Sequence, residues 1–320
     1  MTIQILNIEP DGYCSNAREI LDSIGIVNYQ TVTDEELKRI IPIYHVLITR
    51  IGHYISKNII QSGINLKVIA TATTGLDHID LDAAQMAGIK VISLKGEVEF
   101  LKTITATAEH TFGLMLSICR NIPAAFNDVL KGNWNRDNFR GVELKGKTLG
   151  IIGFGRLGKM VSVYGSAFGM RVIINDPYIT DIPDNIKQCG LDELLQKSDF
   201  VSIHVPLNSE TFKMIGQPQF SLMKRSAYLI NTSRGDVIGQ DALLDALTNK
   251  IIAGAAIDVI SGELLTGNDS RIIDYARANN NLIITPHIGG ATIDSMQATE
   301  IFIAQKIKLF FMKDILLPII

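Results

Sequence analysis

The chain has 320 residues, of which 47% are hydrophobic and 20% charged, a balance that supports packed cores and argues against disorder. Its 30 basic and 33 acidic residues give a formal net charge of −3, which offers no basic surface for nucleic acid or an anionic membrane. No apolar run reaches the ~18 residues of a membrane span, and the N-terminus lacks the pattern of a signal peptide. We therefore expect a cytoplasmic protein without nucleic-acid or membrane partners.

The three cysteines, Cys14, Cys119 and Cys189, lie far apart in the sequence. They form neither a CxxC pair nor an even disulfide framework. The sequence therefore predicts no metal site, and it predicts cysteines that serve as small core residues in a reducing compartment.

Short β-branched apolar runs alternate with helical patterns in the first third of the chain. The helical patterns lie at 17–25, 33–41 and 81–88, and the strand-like runs lie at 3–8, 45–49, 67–72 and 90–93. Nearly continuous apolar strands separated by helices are typical of a parallel sheet covered on both faces.

A second series of strand-like runs follows from Thr148 onward. Its six members lie at 148–152, 170–176, 200–206, 227–233, 252–259 and 281–286. Six strands with helices between them suit a second doubly wound parallel sheet.

Two longer helical patterns, 105–123 and 291–311, flank this second series. The first could carry the chain from one domain to the next, and the second could return it. We therefore predict a discontinuous outer domain, 1–98 plus 291–320, around a continuous inner domain, 99–290.

The first strand of the second series ends in a glycine-rich turn. Gly153, Gly155 and Gly158 have GxGxxG spacing and stand between a strand and a helix. In that setting the first glycine permits a tight turn, the second a close approach of pyrophosphate, and the third helix–strand packing. We expect the backbone N–H groups of Arg156 and Leu157, and the Arg156 guanidinium, to contact the phosphates.

The next strand of this series ends in an acidic residue, Asp176. A carboxylate at this position accepts hydrogen bonds from ribose hydroxyls and repels a 2′-phosphate, which favours NAD over NADP. Glycines alone could form a simple turn, but the strand, the helix and Asp176 together predict a dinucleotide site.

Polar residues follow three later strands, where ligands bind in open α/β sheets. Arg234 can grip a carboxylate bidentately, and His287 can move a proton near neutral pH. Glu263, in the loop after the strand that ends at Asp258, could stand beside the imidazole. Taken singly, Arg234 could be a surface ion-pair partner and Asp258 a helix cap.

These motifs resemble the D-isomer-specific 2-hydroxyacid dehydrogenases, and among them the phosphoglycerate dehydrogenases. The matching strings are GIIGFGRLG at 150–158, INTSRGDVI at 230–238, AGAAIDVISGE at 253–263, TPHIGGAT at 285–292 and the upstream stretch 73–91. The resemblance implies an inner Rossmann NAD domain inserted in a flavodoxin-like substrate domain. It implies hydride transfer between NAD(H) and a D-2-hydroxy acid or 2-keto acid, with 3-phosphoglycerate among the candidates.

The resemblance also implies roles for individual residues. His287 is the acid/base, Glu263 its partner, and Arg234 the group that orients the substrate carboxylate and carbonyl. Asp258 holds the nicotinamide carboxamide, and further cofactor contacts come from His204, Thr232, Ser233, Gly289 and Gly290. The substrate is held by Arg50 and by the backbone around Thr74 and Gly75. One departure is Leu264, because the family usually places proline directly after the catalytic glutamate.

Assembly and two alternative functions complete the expectations. Relatives pair through the inner domain, and the apolar run FGLMLSI at 112–118 favours a homodimer with the helix near 103–119 in the contact.

An NAD sensor with little turnover needs no proton shuttle, so the Arg234, Glu263 and His287 set argues against it. An enzyme of the formate dehydrogenase type needs no general acid, so Glu263 argues against that alternative.

Overall fold

The computed structural model describes residues 2–263 and 271–315, with side chains as far as residue 312. The chain divides into two compact units, Met1–Thr103 with Thr292–Ile320 (unit 1) and Ile104–Ala291 (unit 2). Which unit serves substrate and which serves cofactor stays a prediction at this point. None of the helices in the described part of the chain is long and apolar enough to cross a membrane.

Unit 1 is built on a parallel sheet of five strands in the order β2-β1-β3-β4-β5. The strands are β1 (Ile3–Asn7), β2 (Gly25–Tyr29), β3 (Val46–Thr49), β4 (Val68–Thr71) and β5 (Lys90–Ile92). Every residue of β3 and β4 is buried, as expected for central strands covered on both faces.

Six helices of unit 1 connect or cover these strands. They are α1 (Ser15–Asp22), α2 (Asp34–Ile40), α3 (Lys57–Ser62), α4 (Leu81–Met86), α5 (Val98–Leu101) and α13 (Ile293–Ile315). Helix α2 begins with a capping box, in which the Thr33 hydroxyl and the Glu36 side chain each bind the other's backbone N–H.

Unit 2 is built on a parallel sheet of seven strands in the order β12-β11-β10-β9-β6-β7-β8. The strands are β6 (Thr148–Ile152), β7 (Arg171–Asn175), β8 (Lys187–Gln188), β9 (Phe200–Ile203), β10 (Tyr228–Asn231), β11 (Gly254–Ile257) and β12 (Leu282–Ile284). The strand order reverses between β6 and β9, so the switch point where doubly wound sheets bind ligands lies between these two strands.

Helices cover both faces of this second sheet. They are α6 (Ala106–Cys119), α7 (Ile122–Leu130), α8 (Arg156–Ala167), α9 (Leu191–Lys197), α10 (Gln217–Leu222), α11 (Gln240–Thr248) and α12 (Arg271–Ala278). Successive residues of β10 enter different hydrophobic cores, as expected for a strand. Leu229 belongs to the core that contains Phe220 of α10, and Ile230 belongs to the core that contains Phe112 of α6. The two parallel sheets confirm the predicted α/β fold class.

Strands β2 and β8 and helix α7 are among the elements that were not foreseen in the sequence. Strand β2 has alternating rather than continuous burial, and β8 has only two residues, so neither gives the apolar run of a central strand. The predicted helix 105–123 ends at Cys119, Asn121 takes a left-handed conformation with φ of 54°, and α7 begins at Ile122 with Pro123 in its first turn. Proline is favoured at a helix start, so it opens α7 rather than closing α6.

Candidate active site

The glycine turn after β6 leaves no room for a side chain at two of its three glycines. Gly153 has a φ of +90°, and a Cβ there would lie 2.6 Å from the backbone oxygen of His204. A Cβ on Gly158 would lie 2.1 Å from the backbone oxygen of Gly153, so α8 packs directly on the turn. A Cβ on Gly155 would meet nothing within 4 Å, and Gly155, the N-cap residue of the helix that follows, has no side chain with which to cap it. The turn therefore leaves open backbone beside a helix N-terminus, which suits a phosphate group.

Asp176 links the end of β7 to the glycine turn. Its carboxylate accepts the Phe154 N–H at 2.8 Å and the Tyr178 N–H at 2.9 Å. The Arg156 guanidinium, at the start of α8, donates to the Ile104 carbonyl at 2.6 Å. Leu157 is partly buried and packs against the core under α8. The carboxylate is thus oriented by two fixed donors before any ligand binds.

The Arg234 side chain is carried by a turn that Asn231 builds. Asn231 is fully buried at the end of β10, and its side-chain oxygen accepts the Ser233 N–H at 3.0 Å and the Ser233 hydroxyl at 2.7 Å. Its side-chain amide donates to the Arg234 carbonyl at 2.9 Å. A buried amide with donors and acceptors satisfied in one short turn holds the backbone of Arg234 in a single conformation. Asn231 was missed in the sequence, although an Asn at a strand end is a recognisable turn signal.

Glu263 and His287 come together as the sequence suggests. The distance between His287 Nδ1 and Glu263 Oε1 is 2.8 Å, and both side chains are partly exposed. In the tautomer that donates from Nδ1 to the carboxylate, the other ring nitrogen, Nε2, carries no proton and can accept one. Leu264, the residue that departs from the family's pattern, lies outside the described residues.

The backbone of His287 takes a left-handed conformation, with φ of 54°. This region costs a residue other than glycine roughly 1–2 kcal/mol, so other interactions must hold it. The His287 N–H donates to the Asp258 carbonyl at 2.8 Å, and the next two N–H groups, of Ile288 and Gly289, donate to the Asp258 carboxylate at 2.9 and 2.7 Å. Asp258 thus binds three consecutive backbone groups around the left-handed residue.

The Asp258 carboxylate is 1% exposed, and side chains complete its hydrogen bonds. Thr285 donates to Oδ1 at 2.5 Å, and His110 Nε2 lies 3.2 Å from the same oxygen. Burial by itself would raise the pKa of Asp258, but the hydrogen bonds from His110, Thr285 and the backbone outweigh it and lower that pKa. The expected contact between Asp258 and a carboxamide stays a prediction. The places of His110 and Thr285 beside Asp258 were missed in the sequence.

The other expected cofactor residues lie at the same edge of the sheet. Thr232 is buried and shares a 2.9 Å hydrogen bond between hydroxyls with Thr111 of α6. His204, after β9, contacts Ser202 through Nε2 at 2.8 Å, and burial lowers its pKa to about 4. Gly289 is buried with Asp258 Oδ2 only 2.9 Å from the position of a Cβ, whereas Gly290 is exposed. Close approach thus requires glycine at 289.

In unit 1, the expected substrate residues follow β3 and β4. Thr74 is exposed and Gly75 partly buried, in a turn that the Thr73 hydroxyl closes by donating to the Gly75 carbonyl at 2.7 Å. The Arg50 guanidinium, by contrast, forms an ion pair with Glu300 of α13, whose side chain is 2% exposed. Glu300 was not foreseen, because it is 250 positions from Arg50 in the sequence. Arg50 contacting a substrate stays a prediction.

Comparisons with known proteins agree with this geometry. A family model described as "D-isomer specific 2-hydroxyacid dehydrogenase, NAD binding domain" matches residues 112–289. A D-3-phosphoglycerate dehydrogenase of Methanocaldococcus jannaschii is 38% identical over 301 residues, covering 92% of this chain and 55% of the relative. A hydroxypyruvate reductase of Thermotoga maritima is 36% identical over 283 residues, covering 88% of this chain and 89% of the relative. The chain thus spans about half the length of the first relative and nearly all of the second.

A solved structure has the same fold along nearly the whole chain. It is a D-lactate dehydrogenase from Aquifex aeolicus complexed with NAD and lactic acid, 30% identical in sequence. Its TM-score is 0.83, and the match covers 98% of this chain and 96% of that one. The likeness therefore includes both units and is not confined to the glycine turn.

Proposed function

The chain belongs to the D-isomer specific 2-hydroxyacid dehydrogenase family, and we propose that it transfers a hydride between NAD(H) and carbon 2 of a small D-2-hydroxy acid. The observation that carries this proposal is the 2.8 Å contact between His287 Nδ1 and Glu263 Oε1. A carboxylate fixed on one ring nitrogen sets the tautomer and leaves the other for proton transfer. A sensor of NAD would need no such pair.

The chain carries the NAD-binding domain of the family, and its own residues fit that cofactor. The open backbone at Gly155 and the start of α8 suit the pyrophosphate, and the oriented Asp176 carboxylate suits ribose hydroxyls while repelling a 2′-phosphate. The cofactor supplies the hydride acceptor, or in reduction the hydride donor. Every proton in the reaction is then left to side chains of this chain.

In the oxidative direction, His287 Nε2 removes the proton of the C2 hydroxyl as the hydride leaves C2. The Glu263 carboxylate stabilises the imidazolium that forms, since opposite charges at hydrogen-bond distance favour each other. Arg234 holds the substrate carboxylate and stabilises charge on the reacting oxygen. Asn231 keeps the Arg234 backbone in place during this step. In reduction, protonated His287 returns the proton to the carbonyl oxygen.

The charges around Arg50 support a substrate without phosphate. Its guanidinium is paired with Glu300 and also donates to the Asp11 carbonyl at 2.9 Å. Glu9 lies with Asp11 in the loop after β1, and its carboxylate accepts the Gly52 N–H at 2.9 Å. The Glu300 and Glu9 carboxylates beside Arg50 offset its positive charge and so weaken its attraction for a phosphate dianion. Within the class, we therefore favour short 2-keto acids such as glyoxylate, pyruvate and hydroxypyruvate over 3-phosphohydroxypyruvate.

The test has two parts, and the first is NADH oxidation with those four 2-keto acids. Turnover of at least one of them supports the proposal. Tight NADH binding with no turnover would favour a sensor, and NAD reduction by formate would favour the formate dehydrogenase type.

The second part is the reduction rate of Glu263→Gln, which keeps the shape and removes the charge. We expect kcat to fall by roughly 10- to 100-fold with an unchanged KM for NADH, because the amide does not stabilise the imidazolium as the carboxylate does. A wild-type kcat would mean that Glu263 is not the partner of His287 in catalysis.

We also propose a homodimer, with α7 rather than α6 in the contact. Most of the run FGLMLSI on α6 is buried inside unit 2, so its apolar character does not indicate that α6 lies at an interface. No residue of α7 is buried, and a set of large apolar side chains on and after it is exposed: Ile122, Phe126, Val129, Leu130 and Trp134. Such a patch is typical of an interaction surface. Light scattering at micromolar concentration should give a dimer, and Phe126→Glu should give a monomer.

Finally, we propose a reducing, cytoplasmic compartment. Cys14 and Cys119 are buried, Cys189 is partly buried, and all three are free thiols. Cysteines that serve as core residues without disulfides support such a compartment. Fractionation of cells that produce the protein would test this.

A further inference from the structure

We propose that His110 is a positioning residue: by holding the Asp258 carboxylate, it keeps the left-handed backbone of His287 in place and so aims the imidazole. This proposal rests on the proposed function, in which His287 moves the proton. It adds a residue on a helix that carries no part of the predicted catalytic set.

The strain at His287 is the first step of the argument. A histidine with φ of 54° returns to a right-handed or extended conformation unless its neighbours are fixed. The fixing groups are the carbonyl and the carboxylate of Asp258, which accept the N–H groups of His287, Ile288 and Gly289. If the Asp258 side chain rotates, two of these three hydrogen bonds are lost.

The second step is what keeps the Asp258 side chain from rotating. Oδ1 receives the Thr285 hydroxyl at 2.5 Å and His110 Nε2 at 3.2 Å, and His110 Nε2 is also 3.0 Å from the Thr285 oxygen. Thr285 has one hydroxyl proton and donates it to Asp258, so the proton shared with His110 comes from His110 Nε2. Thr285 belongs to the same loop that Asp258 holds. His110 is therefore the side-chain donor that links the Asp258 carboxylate to α6, which lies outside that loop.

The third step is that α6, which carries His110, is itself fixed by burial in the core of unit 2. Phe112, Met115 and Ile118 of α6 are buried in the core on one face of the unit 2 sheet. The face of α6 that carries His110 also carries Thr107, whose methyl group would lie 3.2 Å from a Cβ at Gly289, and Thr111, which hydrogen-bonds Thr232. Residues spaced by three and four share one helix face. This face thus contacts the turn after β10, which leads to Arg234, and the loop after β12, which carries His287.

The experiment compares three variants of the full chain. His110→Phe keeps an aromatic ring and removes the donor, and His110→Gln places an amide nitrogen near the position of Nε2 and keeps the donor. Glu109→Gln, at an exposed neighbour on the same helix, is the matched control. Thermal denaturation checks that each variant folds.

The first readout does not depend on activity. Amide hydrogen exchange at Ile288 and Gly289 should be about 10-fold faster in His110→Phe, because hydrogen bonds to a charged carboxylate weaken when its side chain is released. His110→Gln and Glu109→Gln should exchange at the wild-type rate. Unchanged exchange in His110→Phe would overturn the proposal.

The second readout is the reduction rate with the best 2-keto acid. We expect kcat to fall by roughly 10- to 100-fold in His110→Phe, the effect of a misplaced catalytic group, with an unchanged KM for NADH and recovery in His110→Gln. Faster exchange with unchanged kcat would also overturn the proposal. If the wild-type protein reduces none of the four acids, the proposed function fails, whereas the exchange rates still decide whether His110 holds the loop.

Discussion

The two sheets of this protein follow the same topological rule and use it differently. Strand order reverses between β1 and β3 in unit 1 and between β6 and β9 in unit 2. In unit 2 the turn after β6 leaves open backbone at Gly155. In unit 1 the corresponding crevice receives a carboxylate of the chain itself, because Glu9, after β1, accepts the Thr49 hydroxyl at 2.9 Å and the Arg50 N–H at 2.5 Å. The switch point of unit 2 thus has open backbone, whereas a side chain of the protein itself occupies that of unit 1.

The same contrast applies to the two arginines that follow strands. Arg234 stands on a turn that Asn231 satisfies through side-chain hydrogen bonds to the backbone. Arg50 is drawn into an ion pair with Glu300, which also accepts the Cys14 N–H at 2.7 Å. A guanidinium paired with a buried carboxylate has less net attraction for a second anion. The contrast predicts large effects on catalysis and cofactor choice for changes at the unit 2 site, and selective effects on substrate choice for changes in unit 1.

The largest effect is expected at His287. His287→Asn keeps a residue that tolerates the left-handed conformation and removes the acid/base. We expect kcat to fall by ~10²–10⁴, the usual contribution of a positioned acid/base, while NADH affinity stays within about threefold because the glycine turn is unchanged. Steady-state kinetics and NADH fluorescence titration measure the two quantities. A wild-type kcat in a protein with intact NADH binding would contradict the role given to His287.

The next effect concerns cofactor choice in unit 2. The wild-type chain should prefer NADH over NADPH by at least ~100-fold, since an unpaired carboxylate facing a phosphate costs several kcal/mol. Asp176→Asn should reduce this preference to below about 10-fold, because the repulsion is removed. Asp181→Asn, an exposed residue that carries the same charge, is the control and should keep the wild-type preference. Equal kcat/KM for both cofactors in the wild type would sink the claim.

Much of unit 2 could be predicted from its sequence because its signals are local. A buried parallel strand such as β9 is a nearly continuous apolar run, and a glycine turn is a fixed spacing between a strand and a helix. Residues such as Arg234 and His287 could be placed at one edge of the sheet because parallel strands end there together. Their approximate neighbourhood therefore follows from the strand pattern.

The contacts that orient these residues could not be predicted, because they join distant positions. His110 and Asp258 are 148 positions apart, and Arg50 and Glu300 are 250 apart. A lone histidine on an apolar helix has no local feature that indicates its partner. Both helices have apolar residues, but those of α6 are largely buried in the fold and those of α7 are not. The sequence pattern alone does not show which of the two is buried. Single-sequence patterns carry no information on such pairings.

A selective effect is expected at Glu300 in unit 1. Glu300→Gln keeps the shape and releases the charge of Arg50, so kcat/KM for 3-phosphohydroxypyruvate should rise about 10-fold, the effect of one freed charge on a dianion. The value for glyoxylate, which has no far end, should not change. Glu97→Gln, which breaks the Lys306 ion pair of the same unit, is the control and should change neither value. If both substrates respond equally, Arg50 does not select between them.

The smallest effect concerns the switch point of unit 2, where His204 is held neutral. Burial lowers its pKa to about 4 from 6.5, so between these two values the unfolded chain binds a proton that the folded chain does not. Stability therefore falls as pH falls from 7 to 5, by about 2 kcal/mol from this group. His204→Gln keeps a polar partner for Ser202 and removes the titration, so its free energy of unfolding should decline less over that range. Urea denaturation followed by circular dichroism measures both slopes. Above pH 7 the free energies of unfolding of both proteins should change with pH in the same way, because His204 is neutral in both the folded and the unfolded chain. Parallel changes between pH 7 and 5 would mean that His204 is solvated rather than buried at the switch point.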